Sequence, residues 1–291
     1  MPGRPSYLQA PSVRDRLLRD AYLILAVVFV GLRLFAVEPW ADSVDAYAYW
    51  TTRDGVFYDS TTGRIGAYLY SPAFAQAVAP LVWLPLAVFT ALWTALNCAA
   101  LWWLLGRWAL PSLLFLPIPF EIISGNAHLL YAVAIVAGFR YAPAWALLLL
   151  TKVTPAIGLA WFLVRREWRA LAAVAAVTGA IVAVSVVLDT AAWREWIALL
   201  QGDLADVGGS SLETLGWYLP VPLLPRIVAA AATAAFAGLT DRRWLLPIAV
   251  TLALPVVWLN GLAVLAASVP LWRERAGASA VAPAAPVGAA A

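Results

Sequence analysis

The sequence is poor in the residues that most often announce chemistry: among 291 residues it holds one cysteine, one histidine and one methionine, and Lys152 is its sole lysine. With Cys98 alone, and set inside the apolar run Phe89 to Leu105, neither an internal disulfide nor a cysteine-rich metal site can form. With His128 alone, a multi-histidine metal centre is excluded as well. Charge is scarce too. Only 12% of the residues are charged and 64% are hydrophobic, against roughly 25% and 45 to 50% in a soluble domain. The basic residues stand singly or in short groups rather than in one patch, which argues against nucleic acid as a partner. No stretch between apolar segments is long enough for a soluble domain, and no internal repeat is evident. One polytopic membrane domain is what remains.

Apolar runs fall at about 21–37, 71–85, 87–106, 109–123, 127–140, 142–164, 168–188, 217–239, 244–257 and 259–272. The expected fold is therefore an all-α, multi-pass transmembrane bundle of about ten membrane segments. Several runs fall short of the roughly 17 to 25 residues of a simple span, so broken or re-entrant helices are expected among them. The first run follows Arg14, Arg16 and Arg19 but is not followed by a small-residue cleavage site, and reads as a retained helix. Arginine-rich loops mark the cytoplasmic side: Arg165, Arg166 and Arg169, then Arg242 and Arg243, then Arg273 and Arg275. The acidic loops 38–70 and 189–216 then face outward. Residues 1–20 form a cytoplasmic N-terminal segment, 21–272 the membrane domain, and 273–291 a disordered cytoplasmic tail of mostly small residues. In the second loop Trp193, Trp196, Ile197, Leu199 and Leu200 recur at helical spacing, as in an interfacial helix, before Gly208-Gly209-Ser210-Ser211. The excess of arginine over lysine, with abundant Ala and Val, fits a GC-rich bacterial genome and hence a bacterial plasma membrane.

Candidate functional residues are the polar ones that this setting makes expensive. Asp45, in Asp45-Ala46-Tyr47-Ala48-Tyr49, is either a solvated loop acid or a base for an acceptor hydroxyl. Asp42 either shares the substrate, is itself the base, or caps a helix over Val44 to Trp50. A second carboxylate nearby would raise one of the two pKa values. Tyr70, just before Ser71-Pro72, is a belt aromatic or a platform for a sugar. Lys152 either pairs with Glu121 or faces a lipid phosphate, a charge within the bilayer needing one or the other. Ser124-Gly125-Asn126-Ala127-His128 is a polar break that forms a hairpin turn or lines a cavity. Arg226 either snorkels or offers a guanidinium to phosphate.

Taken together, these motifs resemble glycosyltransferase family 87, integral membrane enzymes of the GT-C superfamily that include polyprenyl-phosphate-mannose-dependent alpha-mannosyltransferases of actinobacterial lipoglycan synthesis. The resemblance runs over about residues 20–215. It is carried by Asp45-Ala-Tyr-Ala-Tyr49, by Arg53-Asp54-Gly55-Val56-Phe57-Tyr58, by Tyr70-Ser71-Pro72 with Pro80 and Leu84-Pro85, by Lys152-Val153-Thr154-Pro155 and by the basic loop Arg165 to Arg169, with Gly209-Ser210-Ser211-Leu212 a weaker likeness. Gly125-Asn126-Ala127-His128 stands where the family has Gly-Gln-x-Asn, and the chain is shorter than typical members. The resemblance implies a GT-C bundle, both termini cytoplasmic. It implies transfer of a sugar, mannose by likeness, from a polyprenyl phosphate donor to a lipid or glycan acceptor on the external face, with inversion. Asp45 is then the general base and Asp42 a possible second acid. Tyr49, Tyr70, Asn126 and His128 contact substrate, and Arg64, Arg226 and Lys152 are candidates for the donor phosphate. No cofactor is required, although Asp42 and Asp45 offer a loose site for a divalent cation. The competing reading is a transporter or lipid flippase without transferase activity, which often carries repeated halves; a third is a noncatalytic membrane scaffold.

Overall fold

The computed structural model describes residues 12–59, 65–206 and 218–281. They are helical throughout apart from turns and one isolated antiparallel bridge between Tyr218 and Trp258. In chain order the helices are α1 (Val13–Leu34), α2 (Pro39–Asp42), α3 (Val44–Trp50), α4 (Pro72–Val82), α5 (Leu86–Leu105), α6 (Ala109–Ser112), α7 (Pro117–Ser124), α8 (His128–Gly138), α9 (Ala146–Thr151), α10 (Ala160–Val164), α11 (Trp168–Leu188), α12 (Thr190–Asp206), α13 (Leu223–Thr240), α14 (Leu246–Leu252) and α15 (Ser268–Val281). Short 3-10 stretches join several of them, including Thr51–Asp54, Thr154–Leu159 and Leu259–Ala267.

The all-α expectation holds, and membrane-crossing helices are present, but they are fewer than the apolar runs. Among the described residues three helical stretches are long and apolar enough to cross a membrane: Leu86–Ser112, Trp168–Leu188 and Leu223–Thr240. A fourth arises if α7 and α8, bent by 110° at their junction, count as one span. Proline and glycine account for much of the difference. The run 142–164 is cut at Lys152-Val153 ahead of Pro155, and the run 109–123 is divided around Pro117. Each leaves short apolar helices in place of one straight rod, because proline lacks the amide hydrogen a helix interior needs. α1 has 22 residues, but Arg19, Asp20 and Arg33 flank its apolar stretch. Pro72 opens α4 at its first turn, as expected of a residue with no N–H to lose. The helix α15 runs on to Val281, into the stretch expected to be disordered.

Apolar burial gathers these pieces into three clusters. In one, Trp145 lies between α8 and the 3-10 stretch at 154–159. A Cβ on Gly138 would stand 2.4 Å from its Nε1, and one on Gly158 2.5 Å from its Cη2, so the indole fits only because both neighbours lack side chains. A second cluster holds α1 on α5. Tyr22 donates to the Cys98 carbonyl at 2.6 Å and stacks on Trp102. The third is aromatic, with Tyr49, Tyr68, Tyr70, Phe74, Phe89 and Trp93 between α3, α4 and α5. Its ring pairs adopt the tilted and edge-on contacts that aromatic quadrupoles favour. By contrast, α11 buries only Val174 and Ser185 and turns the rest of its apolar surface outward, as a lipid-facing helix does. At its end, α12 takes the helical course predicted for the second loop. Trp196 is buried there and donates to the Leu69 carbonyl, while Trp193 donates to the Ser185 hydroxyl. Gly208 to Ser211 lie outside the described residues.

Candidate active site

The site is built on the bend between α7 and α8. Gly125 ends α7 in the left-handed region, φ +70°, where glycine carries no Cβ penalty. A Cβ there would also meet the Ala46 Cβ at 2.7 Å and Trp93 Cδ1 at 3.3 Å. The missing side chain lets α3 lie directly on the bend, and the residue just before Ala46 in α3 is Asp45. Buried Arg33 fastens the same corner, donating to the Asp42 carbonyl at 3.3 Å and the Ile123 carbonyl at 3.0 Å, and Ser43 donates to Ile123 as well.

Glu121, fully buried in the last turn of α7, caps the helix that follows. Its Oε1 accepts the backbone N–H of His128 at 2.6 Å and that of Leu129 at 3.4 Å. A carboxylate suits the first turn of α8, where free amides and the helix dipole both favour negative charge. Its Oε2 lies 2.9 Å from Nδ1 of the equally buried His128, and His128 Nε2 lies 3.1 Å from Lys152 Nζ. Because an ammonium only donates, Nε2 accepts and Nδ1–H donates to Glu121. Lys152 sits at the C-terminal end of α9, in extended backbone at the break ahead of Pro155, and extends over the rings of Tyr70 and Tyr131 at 5.5 and 5.9 Å. Those separations place the ammonium within cation–π range of both faces. The Ser71 hydroxyl donates to the Leu150 carbonyl, tying the start of α4 to this same break.

A second line of hydrogen bonds runs toward Asp45 from the aromatic cluster. Tyr49 donates to Tyr70 at 3.1 Å and Tyr70 donates to Asn126 Oδ1 at 3.2 Å, which brings the line to the neighbourhood of the Asp45 carboxylate. From the far end of the chain Asn260, in the 3-10 stretch Leu259–Ala267, donates to Ser124 Oγ at 3.0 Å and to Asp45 Oδ2 at 3.4 Å. Asp45 and Lys152 are both half-buried, whereas Glu121, His128 and Asn126 are closed off beneath them. Burial pushes the Asp45 carboxyl above its ordinary range, and the neighbouring Glu121 raises it further; Lys152, Asn126 and His128 pull it partly back. A half-buried carboxyl of raised basicity at the same bend as a lysine is an arrangement that can take a proton and hold an anion.

The remaining sequence candidates fall elsewhere. Asp42 is exposed on α2, and the second carboxylate acting on Asp45 is Glu121. Tyr49, behind Tyr70, and His128 are both fully buried, which leaves neither a face for a ligand and corrects their reading as contact residues. Arg226 is also corrected. Its guanidinium is buried and donates to the carbonyls of Val221, Leu252, Leu254 and Pro255 at 2.8, 2.9, 2.5 and 2.7 Å, so it binds backbone where a phosphate was expected. Arg64 lies outside the described residues. Asn260, Ser124 and Tyr131 were not foreseen. For Asn260 the available signal was a lone amide within the apolar run 259–272, which costs free energy unless it finds a partner.

Among known sequences, the family model of glycosyltransferase family 87 matches residues 68–291. That match takes in Tyr70, Asn126, His128, Lys152 and Asn260 and continues to the C-terminus, well past the motifs on which the sequence resemblance rests. Asp45 and Tyr49 precede its first residue. No curated protein and no solved structure matches the chain. With more than half its length matched by the family model, and with apolar helices long enough to cross a membrane, the chain belongs to glycosyltransferase family 87 and is a membrane glycosyltransferase.

Proposed function

We propose that the protein transfers a sugar from a polyprenyl phosphate donor to a lipid or glycan acceptor, with inversion, and that Asp45 is the general base. The observation that carries this reading is the half-buried Asp45 carboxylate held by Asn260 at the bend between two apolar helices, where half-buried Lys152 also reaches His128 and the Tyr70 ring. A phosphate-linked sugar already has a good leaving group, so the reaction needs a base for the acceptor and a cation for the departing phosphate. The acceptor oxygen attacks the anomeric carbon and passes its proton to Asp45. The bond from that carbon to the phosphate oxygen breaks, and polyprenyl phosphate leaves with both bonding electrons. Carboxylate close to the sugar also favours the oxocarbenium-like charge of the transition state.

Lys152 takes the phosphate role in place of Arg226, since Lys152 is half-buried while buried Arg226 already donates to four backbone carbonyls. Tyr70 and Asn126 form the wall behind Asp45, and Tyr49 positions Tyr70. The acidic loop bearing Asp45 faces outward in this reading, with about ten membrane segments in all and both termini in the cytoplasm. Mannose is the preferred sugar by family resemblance.

The test is transfer of radiolabelled mannose from polyprenyl phosphate mannose into lipid by membranes carrying wild type or Asp45→Asn, with and without EDTA. Transfer by wild type and its loss in the variant is the expected result. Wild-type transfer with full activity in the variant would remove Asp45 from the mechanism, and activity only with another polyprenyl phosphate sugar would correct the mannose assignment.

A further inference from the structure

Lys152 is the one lysine in the chain, and it is half-buried. Among the described residues its one hydrogen-bond partner is His128 Nε2, at 3.1 Å. His128 has no surface exposure and is itself fixed twice by Glu121, through its ring at 2.9 Å and its backbone N–H at 2.6 Å. Three residues from α7, α8 and the end of α9 therefore form a single line running from a closed interior to the half-buried Lys152. Lysine is a flexible four-carbon chain that loses rotamer freedom when it is ordered, and two aromatic faces alone do not fix its direction. The imidazole does, because Nε2 presents one lone pair in the plane of a ring that Glu121 prevents from turning.

We infer that His128, oriented by Glu121, is a positioning residue that acts through Lys152, aiming the ammonium at the phosphate of the polyprenyl carrier. The inference rests on the proposed donor class. It separates two duties at one site: Asp45 and Asn126 serve the acceptor, while Glu121, His128 and Lys152 serve the carrier phosphate. It also explains why a fully buried imidazole lies beneath a half-open site. His128 is out of reach of any ligand and exerts its effect through its neighbour, much as a histidine behind a metal ligand is set by its outer partner.

The experiment is binding of radiolabelled undecaprenyl phosphate to the purified full-length protein in detergent. It compares wild type, Lys152→Met, His128→Gln, Glu121→Gln and the double variant His128→Gln/Lys152→Met. Each single substitution is expected to weaken binding about tenfold, the size of one charge-assisted contact. The double variant should bind no worse than Lys152→Met alone, because His128 has nothing left to aim; a merely structural effect would add to the first. Thermal melting accompanies each variant, and His128→Asn replaces His128→Gln if the latter does not fold. Wild-type affinity in His128→Gln, or additive losses in the double variant, overturns the inference while leaving the transferase reading in place. Wild-type affinity in Lys152→Met does the same. Failure of the wild type to bind undecaprenyl phosphate overturns the donor class, and this inference with it.

Discussion

Asn260 Nδ2 lies 3.4 Å from Asp45 Oδ2, joining residues 215 positions apart in the chain. Through the same amide Asn260 reaches Ser124 at 3.0 Å, so the last apolar stretch ties the first loop to the α7–α8 bend. The proposed base is thus held from the last apolar stretch by Asn260.

Asp45→Asn is predicted to reduce transfer by at least about a hundredfold, the usual range for loss of a general base, and Asp42→Asn severalfold at most. The reverse ranking in the membrane transfer assay would make Asp42 the base.

The pH dependence follows from the raised Asp45 carboxyl. Only the ionised form can accept a proton, so transfer should rise with pH along an acid limb displaced above the ordinary carboxylate range. Stability runs the other way. A carboxyl whose pKa is higher in the folded than in the unfolded chain loses stability as pH climbs from the unfolded value through the folded one. Asp45→Asn removes that penalty, and should melt no lower than wild type at neutral pH.

Asn260→Leu is expected to lower turnover about tenfold with little change in the KM for donor, since it frees one carboxylate oxygen of Asp45 without touching Lys152. Steady-state kinetics at varied donor concentration distinguish this from a general loss of folding, which would lower the active fraction without changing turnover per active molecule.

Arg226→Ala should damage the fold rather than the chemistry. It leaves four carbonyls without their shared donor, and buried hydrogen bonds to a charged group are worth about 1.5 to 3 kcal/mol each before relaxation. A loss of more than about 2 kcal/mol is expected, read as a lower melting temperature and poor yield, with normal donor KM in the protein that folds. A raised donor KM at unchanged stability would restore Arg226 to the phosphate.

Gly125→Ala tests the packing that delivers Asp45. The added methyl meets Ala46 at 2.7 Å and strains a positive φ, costing about 1 to 3 kcal/mol and pushing α3 off the bend. Activity should fall by more than the fraction of protein lost to unfolding. Gly138→Ala, which strikes Trp145 in another cluster, should cost comparable stability and spare turnover.

The sequence by itself settled what depends on local composition. Hydropathy placed the chain in a membrane, because apolar runs of that density have no other solvent. The shortness of several apolar runs and the Ser124 to His128 break foretold interrupted helices, because a straight span needs about 17 to 25 apolar residues in one run. The order of motifs around Asp45, Tyr70 and Lys152 carried the family, which the match over residues 68–291 bears out. The tertiary structure decided which polar groups meet. Arginine reads alike in a sequence whether its guanidinium binds phosphate or backbone, and only the approach of residues 252–255 to α13 assigned Arg226 to carbonyls. For Lys152 the sequence left open a pairing with Glu121 or a lipid phosphate, and the bend at Gly125 sets His128 between Lys152 and Glu121. Asp45 found its neighbouring carboxylate in Glu121 and its amide in Asn260, because partners in a folded bundle are set by how helices cross and not by how far apart they lie along the chain.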